Sequence, residues 1–96
     1  MTDHILSRRA QADIEEIWNY TAERWDEEQA NRYVRLLHQG IEAIARAPNR
    51  GRPCDDIRVG YRKYPAGSHV LFFRMLEGKV YVARILHQRM DFDRHL

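Results

Sequence analysis

The sequence predicts an α+β fold of order β-α-α-β-β-β, a helical hairpin packed on a small, mainly antiparallel sheet. Three observations lead there. Apolar residues recur at spacings of three and four through two stretches between residues 10 and 45. A proline, Pro48, ends the second stretch, and short runs rich in Val, Leu, Phe, Tyr and Ile follow it. Helices first and strands afterwards make a two-layer domain rather than alternating βα units.

Asp3-His4-Ile5-Leu6 reads as a short extended start, and Ser7 as the N-cap of the first helix. Ala10, Ile14, Ile17, Trp18, Thr21 and Trp25 form its apolar stripe, leaving Asp13, Glu15, Glu16 and Glu23 for a solvated face. Trp25-Asp26 breaks the pattern. Asp26 with Gln29 three residues on resembles a capping box in which Asp replaces Ser or Thr. The second helix runs along Ala30, Tyr33, Val34, Leu37, Ile41, Ile44 and Ala45 until Pro48 stops it. A connection this short predicts an antiparallel hairpin.

Asn49-Arg50-Gly51-Arg52-Pro53 is turn-rich and too short to separate domains. Three strands are predicted, Gly60–Pro65, His69–Leu76 and Lys79–His87. The last two are apolar on both alternating faces, as central strands covered by the helices would be. They flank Glu77-Gly78. Glu fits poorly where a type I′ turn needs φ > 0, so a three-residue loop, Leu76-Glu77-Gly78, is expected instead. That register pairs Met75 with Lys79 and Arg74 with Val80, and sets Arg74 and Arg84 on one face among Val70, Phe72, Val82 and Leu86. A two-residue loop would put the two arginines on opposite faces.

Composition narrows the function classes. The 96 residues allow one domain, and 44% hydrophobic with 31% charged residues are the proportions of a globular chain. No apolar run approaches the roughly 20 residues that span a bilayer, and Met1–Ile5 lacks a signal pattern, so a cytoplasmic protein without membrane contact is expected. The single cysteine, Cys54, excludes an internal disulfide and a multi-cysteine zinc site. Its neighbour Arg52 is of the kind that lowers a thiol pKa. Residues 1–48 hold six Lys/Arg against nine Asp/Glu, and residues 49–96 hold ten against five, so −3 and +5 recover the net +2. A basic C-terminal half attracts an anionic partner, nucleic acid or acidic protein.

Chemistry is sparse. No Gly-x-Ser-x-Gly elbow and no Gly-rich phosphate loop occurs, and the five histidines lack metal-ligand spacing, so neither metal nor cofactor is expected. The strand end differs, because Arg84, His87 and Arg89 gather there with Asp91 just beyond. A histidine proton shuttle beside arginines suits RNA cleavage through the 2′-hydroxyl, and the same residues suit recognition of an acidic surface.

Several fragments, in order along nearly the whole chain, resemble ParE toxins of the ParE/RelE superfamily of type II toxin–antitoxin systems. They are Leu6-Ser7, Ala10, Asp13, Ile14–Tyr20, Trp25, Gly51-Arg52-Pro53, Gly60-Tyr61-Arg62, His69–Arg74 and Arg84–Asp91. The resemblance implies a non-enzymatic toxin that inhibits DNA gyrase, blocks replication and is neutralised by a ParD-like antitoxin in a toxin–antitoxin hetero-oligomer. Promoter DNA would be reached only through the antitoxin's ribbon-helix-helix half. Arg74, Arg84, His87, Arg89 and Asp91 are then the candidates for target binding. Trp25, Tyr33, Leu37 and Arg62 are the candidates for the antitoxin, whose acidic half would wrap the basic half of this chain. The alternative is a RelE-like ribosome-dependent mRNA endonuclease, with Arg84, His87 and Arg89 catalytic and Arg62 and Lys63 one strand away. The tail Gln88–Leu96 contains no tyrosine, and Met90 and Phe92 stand where a polar group would be expected, which favours gyrase.

Overall fold

The computed structural model describes residues 4–96. Strand β1 (His4–Leu6) leads into helix α1 (Arg8–Arg24) and helix α2 (Glu27–Arg46), and a 3-10 turn follows at Pro48–Arg50. Strands β2 (Arg52–Pro53), β3 (Arg62–Ala66), β4 (His69–Leu76) and β5 (Lys79–His87) come next, then a short helix α3 (Phe92–His95). The sheet order is β1-β5-β4-β3-β2, with β1 parallel to β5 and the other pairs antiparallel. The expected helical hairpin on a mainly antiparallel sheet is therefore present, extended by β2 and α3. Asp3 of the expected first strand lies outside the described residues, as does most of Met1–Ile5.

Local chemistry fixes the helix ends. Ser7 Oγ accepts the Ala10 N–H at 2.9 Å and donates to the Ala83 carbonyl at 2.6 Å, so one side chain caps α1 and ties it to β5. Asp26 accepts the Gln29 N–H at 2.7 Å and starts α2. Trp18 Nε1 donates to Asn31 Oδ1 across the hairpin. The main core lies between the helices and the sheet and includes Ala10, Leu37, Ile41, Ile44, Leu71, Phe73, Val80 and Val82. A smaller one, Cys54, Phe72 and Leu86 with Ile57, Tyr61, Val70, Phe92 and Leu96, covers the opposite sheet face. Both faces of β4 and β5 are thus buried, as their apolar content predicts.

Three expectations change. Strand β3 begins at Arg62 rather than Gly60, because Gly60 takes φ +84° in a turn where its N–H donates to the Asp55 carboxylate at 2.8 Å. The β4–β5 loop has two residues, with Leu76 opposite Lys79 and Met75 opposite Val80. Glu77 takes φ +50° and Gly78 φ +80°, the positive pair of a type I′ turn, so Glu accepts a left-handed backbone it disfavours. Beyond the loop Phe73 faces Val82 while Phe72 faces Arg84, which leaves Ala83 as a bulge. The bulge resets the alternation. Arg74 (opposite Tyr81) and Arg84 (opposite Phe72) therefore share the face away from the helices, despite the shorter loop, while Val82 turns to the helix side.

The third change concerns Asp13, which is not on a solvated face. It is 8% exposed and accepts three hydrogen bonds at 2.9 Å, two from Arg84 (Nε and a terminal nitrogen) and one from the Ile85 N–H. Residues 10, 13 and 17 lie on one stripe of a 3.6-residue helix, so the carboxylate necessarily points at the sheet. Past Ala83 the edge of β5 is no longer covered by β1, and Asp13 supplies the acceptor its backbone needs.

Candidate functional site

A cavity of about 490 Å³ opens between one face of α1, the start of α2 and the ends of β4 and β5. Ile17, Tyr20, Thr21 and Trp25 form its helical wall, Tyr33, His69 and His87 line it from α2 and the strands, and Met90 lies beyond them. Tyr20 is 62% exposed, Trp25 57% and Met90 37%, a high share for side chains of this size. The Asp13–Arg84 pair closes one end.

The strand side is a hydrogen-bonded chain. The Ser68 N–H donates to the Tyr33 hydroxyl at 2.9 Å, leaving that hydroxyl to donate to His69 Nδ1 at 2.6 Å. His69 stacks edge-on against Tyr33 at 5.5 Å and against His87 at 5.3 Å. Burial first, and the neighbouring His87 second, press the His69 pKa down to about 4, with a small opposing pull from Asp13. The ring is therefore neutral at pH 7, the form that accepts the tyrosine proton. Gly67, at φ +61°, makes the tight β3–β4 turn beside this cluster, and a Cβ there would meet the Tyr33 hydroxyl at 2.8 Å.

The structure brings together only part of the predicted set. Trp25 and Tyr33 line the cavity. Leu37, fully buried in the main core, has no surface to offer a partner, because its position on the α2 stripe points it at the sheet. Arg62 lies on β3 and donates to the Gly51 carbonyl at 2.7 Å, clamping the loop before β2. Arg84 is held by Asp13 and also donates to the His95 carbonyl at 2.8 Å; the Asp13 bond raises its pKa above the ordinary arginine value. His87 lines the cavity, and its Nδ1 accepts the Arg89 N–H at 3.1 Å. Arg89 and Asp91 are exposed on the tail. Asp91 precedes α3, although its side chain makes no cap bond. Cys54 is fully buried, and burial pushes its thiol pKa up, the reverse of the shift expected from Arg52.

Asp13, Tyr20 and His69 belong to the cavity without having been singled out for it. Asp13 carried a signal, its place on the apolar stripe, whereas the pairing of His69 with Tyr33 depends on how α2 meets the β3–β4 turn. Among the described residues no group of three His, Cys, Asp or Glu could hold a metal ion, and no helix is long and apolar enough to cross a membrane. The cavity has the form of a binding cleft. It offers an apolar wall with polar groups at its ends, the complement of an amphipathic helix or strand.

The profile of the family described as ParE toxin of type II toxin-antitoxin system, parDE, matches residues 5–92. Toxin ParE1 of Mycobacterium tuberculosis is 53% identical over 94 residues, covering 97% of this chain and 96% of that one. Toxin ParE1 of Caulobacter vibrioides is 46% identical over 96 residues, covering 100% and 99%. A solved structure of the chromosomal ParDE TA system from P. aeruginosa superposes with a TM-score of 0.81 at 21% identity, covering 91% of this chain and 96% of that one. At that identity the likeness speaks for the fold.

Proposed function

The chain belongs to the ParE family, the toxin component of ParDE type II toxin–antitoxin systems, and from that premise we propose that it acts by binding rather than by chemistry, inhibiting DNA gyrase in the cytoplasm until a ParD-like antitoxin occupies the cavity between the helical hairpin and the strand ends. The observation that carries the antitoxin half of this reading is the exposure of Trp25 and Tyr20 beside that cavity. Large aromatic groups left in water beside an apolar cleft are what a partner's side chains cover in a stable complex. A flexible antitoxin segment ordering there would lose entropy on binding and regain it through buried apolar area, giving a toxin–antitoxin hetero-oligomer. Promoter DNA is then contacted by the antitoxin's half of the assembly.

The strand-end cluster supports binding over catalysis. Arg84 is committed to Asp13 and the His95 carbonyl, and Phe92 packs on Phe72 with ring centroids 4.8 Å apart. The arginine a ribonuclease reading would aim at a phosphate is thus engaged in the fold. Arg89 and His87 remain to meet the target.

Replacing both Tyr20 and Trp25 with Ala tests the antitoxin half. Both side chains are more than half exposed, so the fold should be kept, while titration calorimetry with the operon's antitoxin should give at least ~30-fold weaker binding. Parental affinity in the double variant would overturn the assignment of this cavity to the antitoxin.

A further inference from the structure

A second cavity of about 450 Å³ lies beside the start of α1 and the sheet face turned away from the helices. Arg8 and Arg9 enter it from the first turn of α1, Arg58 from the loop before β3, and Arg74 and Tyr81 from β4 and β5, with Tyr61 beside them. None of its lining side chains is a carboxylate. Arg84 also reaches this cavity, but Asp13 neutralises it. Among the described residues, Arg8, Arg9, Arg58 and Arg74 form no ion pair with a carboxylate. Four positive charges without a paired carboxylate, from three parts of the chain, therefore face one hollow.

Two features set this cluster apart from an ordinary arginine-rich surface. Arg8 and Arg9 occupy the first turn of α1, where acidic residues are absent and the helix dipole is already positive. Local stability disfavours cations at that place, so the field there is stronger than the side chains alone would make it. The aromatic groups are the second feature. Arg74 lies over the Tyr81 ring at 5.1 Å, and Tyr61 is half-buried at the same hollow. Arginines beside planar faces are the pairing that takes phosphates with bases or sugars stacked alongside. An acidic peptide would use the charges alone, whereas a nucleic acid would also bring planar bases beside the arginines and the two tyrosines. The hollow is too small for a duplex and open enough for a single strand to run across it.

We propose that this cavity is a nucleic-acid site that takes a single strand of DNA, its phosphates on Arg8, Arg9, Arg58 and Arg74 and a base or sugar against Tyr61 and Tyr81. The choice of DNA rests on the gyrase reading, since a toxin docked on gyrase lies beside the DNA which that enzyme opens. The charge and the rings favour a nucleic acid independently of that reading.

Fluorescence anisotropy of a labelled 12-nucleotide single-stranded DNA with purified toxin tests it without gyrase present. Binding should weaken with salt at a log–log slope near −2.8, from about four phosphate contacts at ~0.7 each. In the Arg58→Ala/Arg74→Ala variant the slope should fall to about −1.4 and the affinity drop at least ~10-fold, with an unchanged melt. Arg24→Ala/Arg35→Ala, on the helices, should leave binding unaltered. Absent binding, or parental binding by Arg58→Ala/Arg74→Ala, overturns the proposal. Tighter binding of the same-sequence RNA, or of a poly-glutamate peptide, overturns the choice of DNA. Supercoiling inhibition measured in parallel separates the two readings. Its loss with DNA binding intact would remove gyrase, and its persistence without DNA binding would remove this site.

Discussion

The Asp13–Arg84 pair should be a main contributor to the stability of this fold, and its energetics can be worked from its geometry. The Asp13 side chain is 9% exposed and that of Arg84 14%, so both charges have left most of their water. Replacing Arg84 with Met keeps the volume but leaves the carboxylate with the Ile85 N–H alone, at a cost of about 3–5 kcal/mol. Asp13→Ala releases Arg84, which keeps the His95 carbonyl, and orphans the Ile85 N–H. That change should cost about 2–4 kcal/mol. In the double variant the buried Ile85 N–H is unsatisfied and the His95 carbonyl, near the chain end, loses the arginine as donor, at about 1–3 kcal/mol together. At mid-range values the singles then exceed the double by roughly 5 kcal/mol, far above the ~0.5 kcal/mol scatter of independent sites. At 0.05–0.15 kcal/mol per residue the whole domain has about 5–14 kcal/mol to lose, so Arg84→Met should lower Tm by more than ~10 °C. Urea unfolding followed by circular dichroism measures all four species. A coupling below 0.5 kcal/mol, or an Arg84→Met variant within 1 kcal/mol of the parent, would refute the reasoning. Toxicity lost on replacing Arg84 would consequently report folding before it reported target contact.

The turn residue Glu77, at φ +50°, should be improvable, because Asn tolerates the left-handed region. Glu77→Asn should raise Tm by ~2–6 °C in a thermal melt, and an equal or lower Tm would count against the type I′ turn. Neutral His69 makes the folded state bind fewer protons than the unfolded one between about pH 6.5 and its own pKa near 4. Stability should therefore be whole above pH 6.5 and fall as pH drops through that window. An NMR titration should place the His69 midpoint well below 5, and a midpoint at 6 or above would show that the ring is not buried beside His87. Ile14→Asp, which puts a charge into the half-buried stripe packed on the main core, should unfold the domain by several kcal/mol. A melt like the parent's would mean the wrong helix face had been assigned.

Most of the architecture was legible because it is written in short-range patterns. Ser7 and Asp26 mark helix starts through bonds to the N–H three residues on, Pro48 marks an end because it has no N–H to continue the helix, and apolar periodicity finds both helices and both central strands. What escaped depends on contacts made across the chain. Arg52–Pro53 becomes a strand only because Arg62 and Lys63 are beside it, and Phe92–His95 turns helical over a second core that no local pattern announces. The Ala83 carbonyl at the bulge accepts from the Ser7 hydroxyl, 76 positions away, a contact outside the hairpin's own sequence. The cavity shows the same division. Trp25 and Tyr33, singled out by residue type, line it. Leu37 was misplaced because an apolar anchor and a core residue look alike in sequence. Asp13 was misread because acidic residues on a helix are usually solvated, and Arg84 lies too far along the chain to reveal its partner.

The most direct measurement runs purified toxin in two reactions side by side, DNA gyrase supercoiling with a readout for trapped cleaved DNA, and cell-free translation with mapping of mRNA ends. Inhibited supercoiling with accumulated cleaved DNA and intact mRNA is the expected result. Codon-positioned mRNA cuts with normal gyrase activity would contradict it, and would make His87 the first residue to replace.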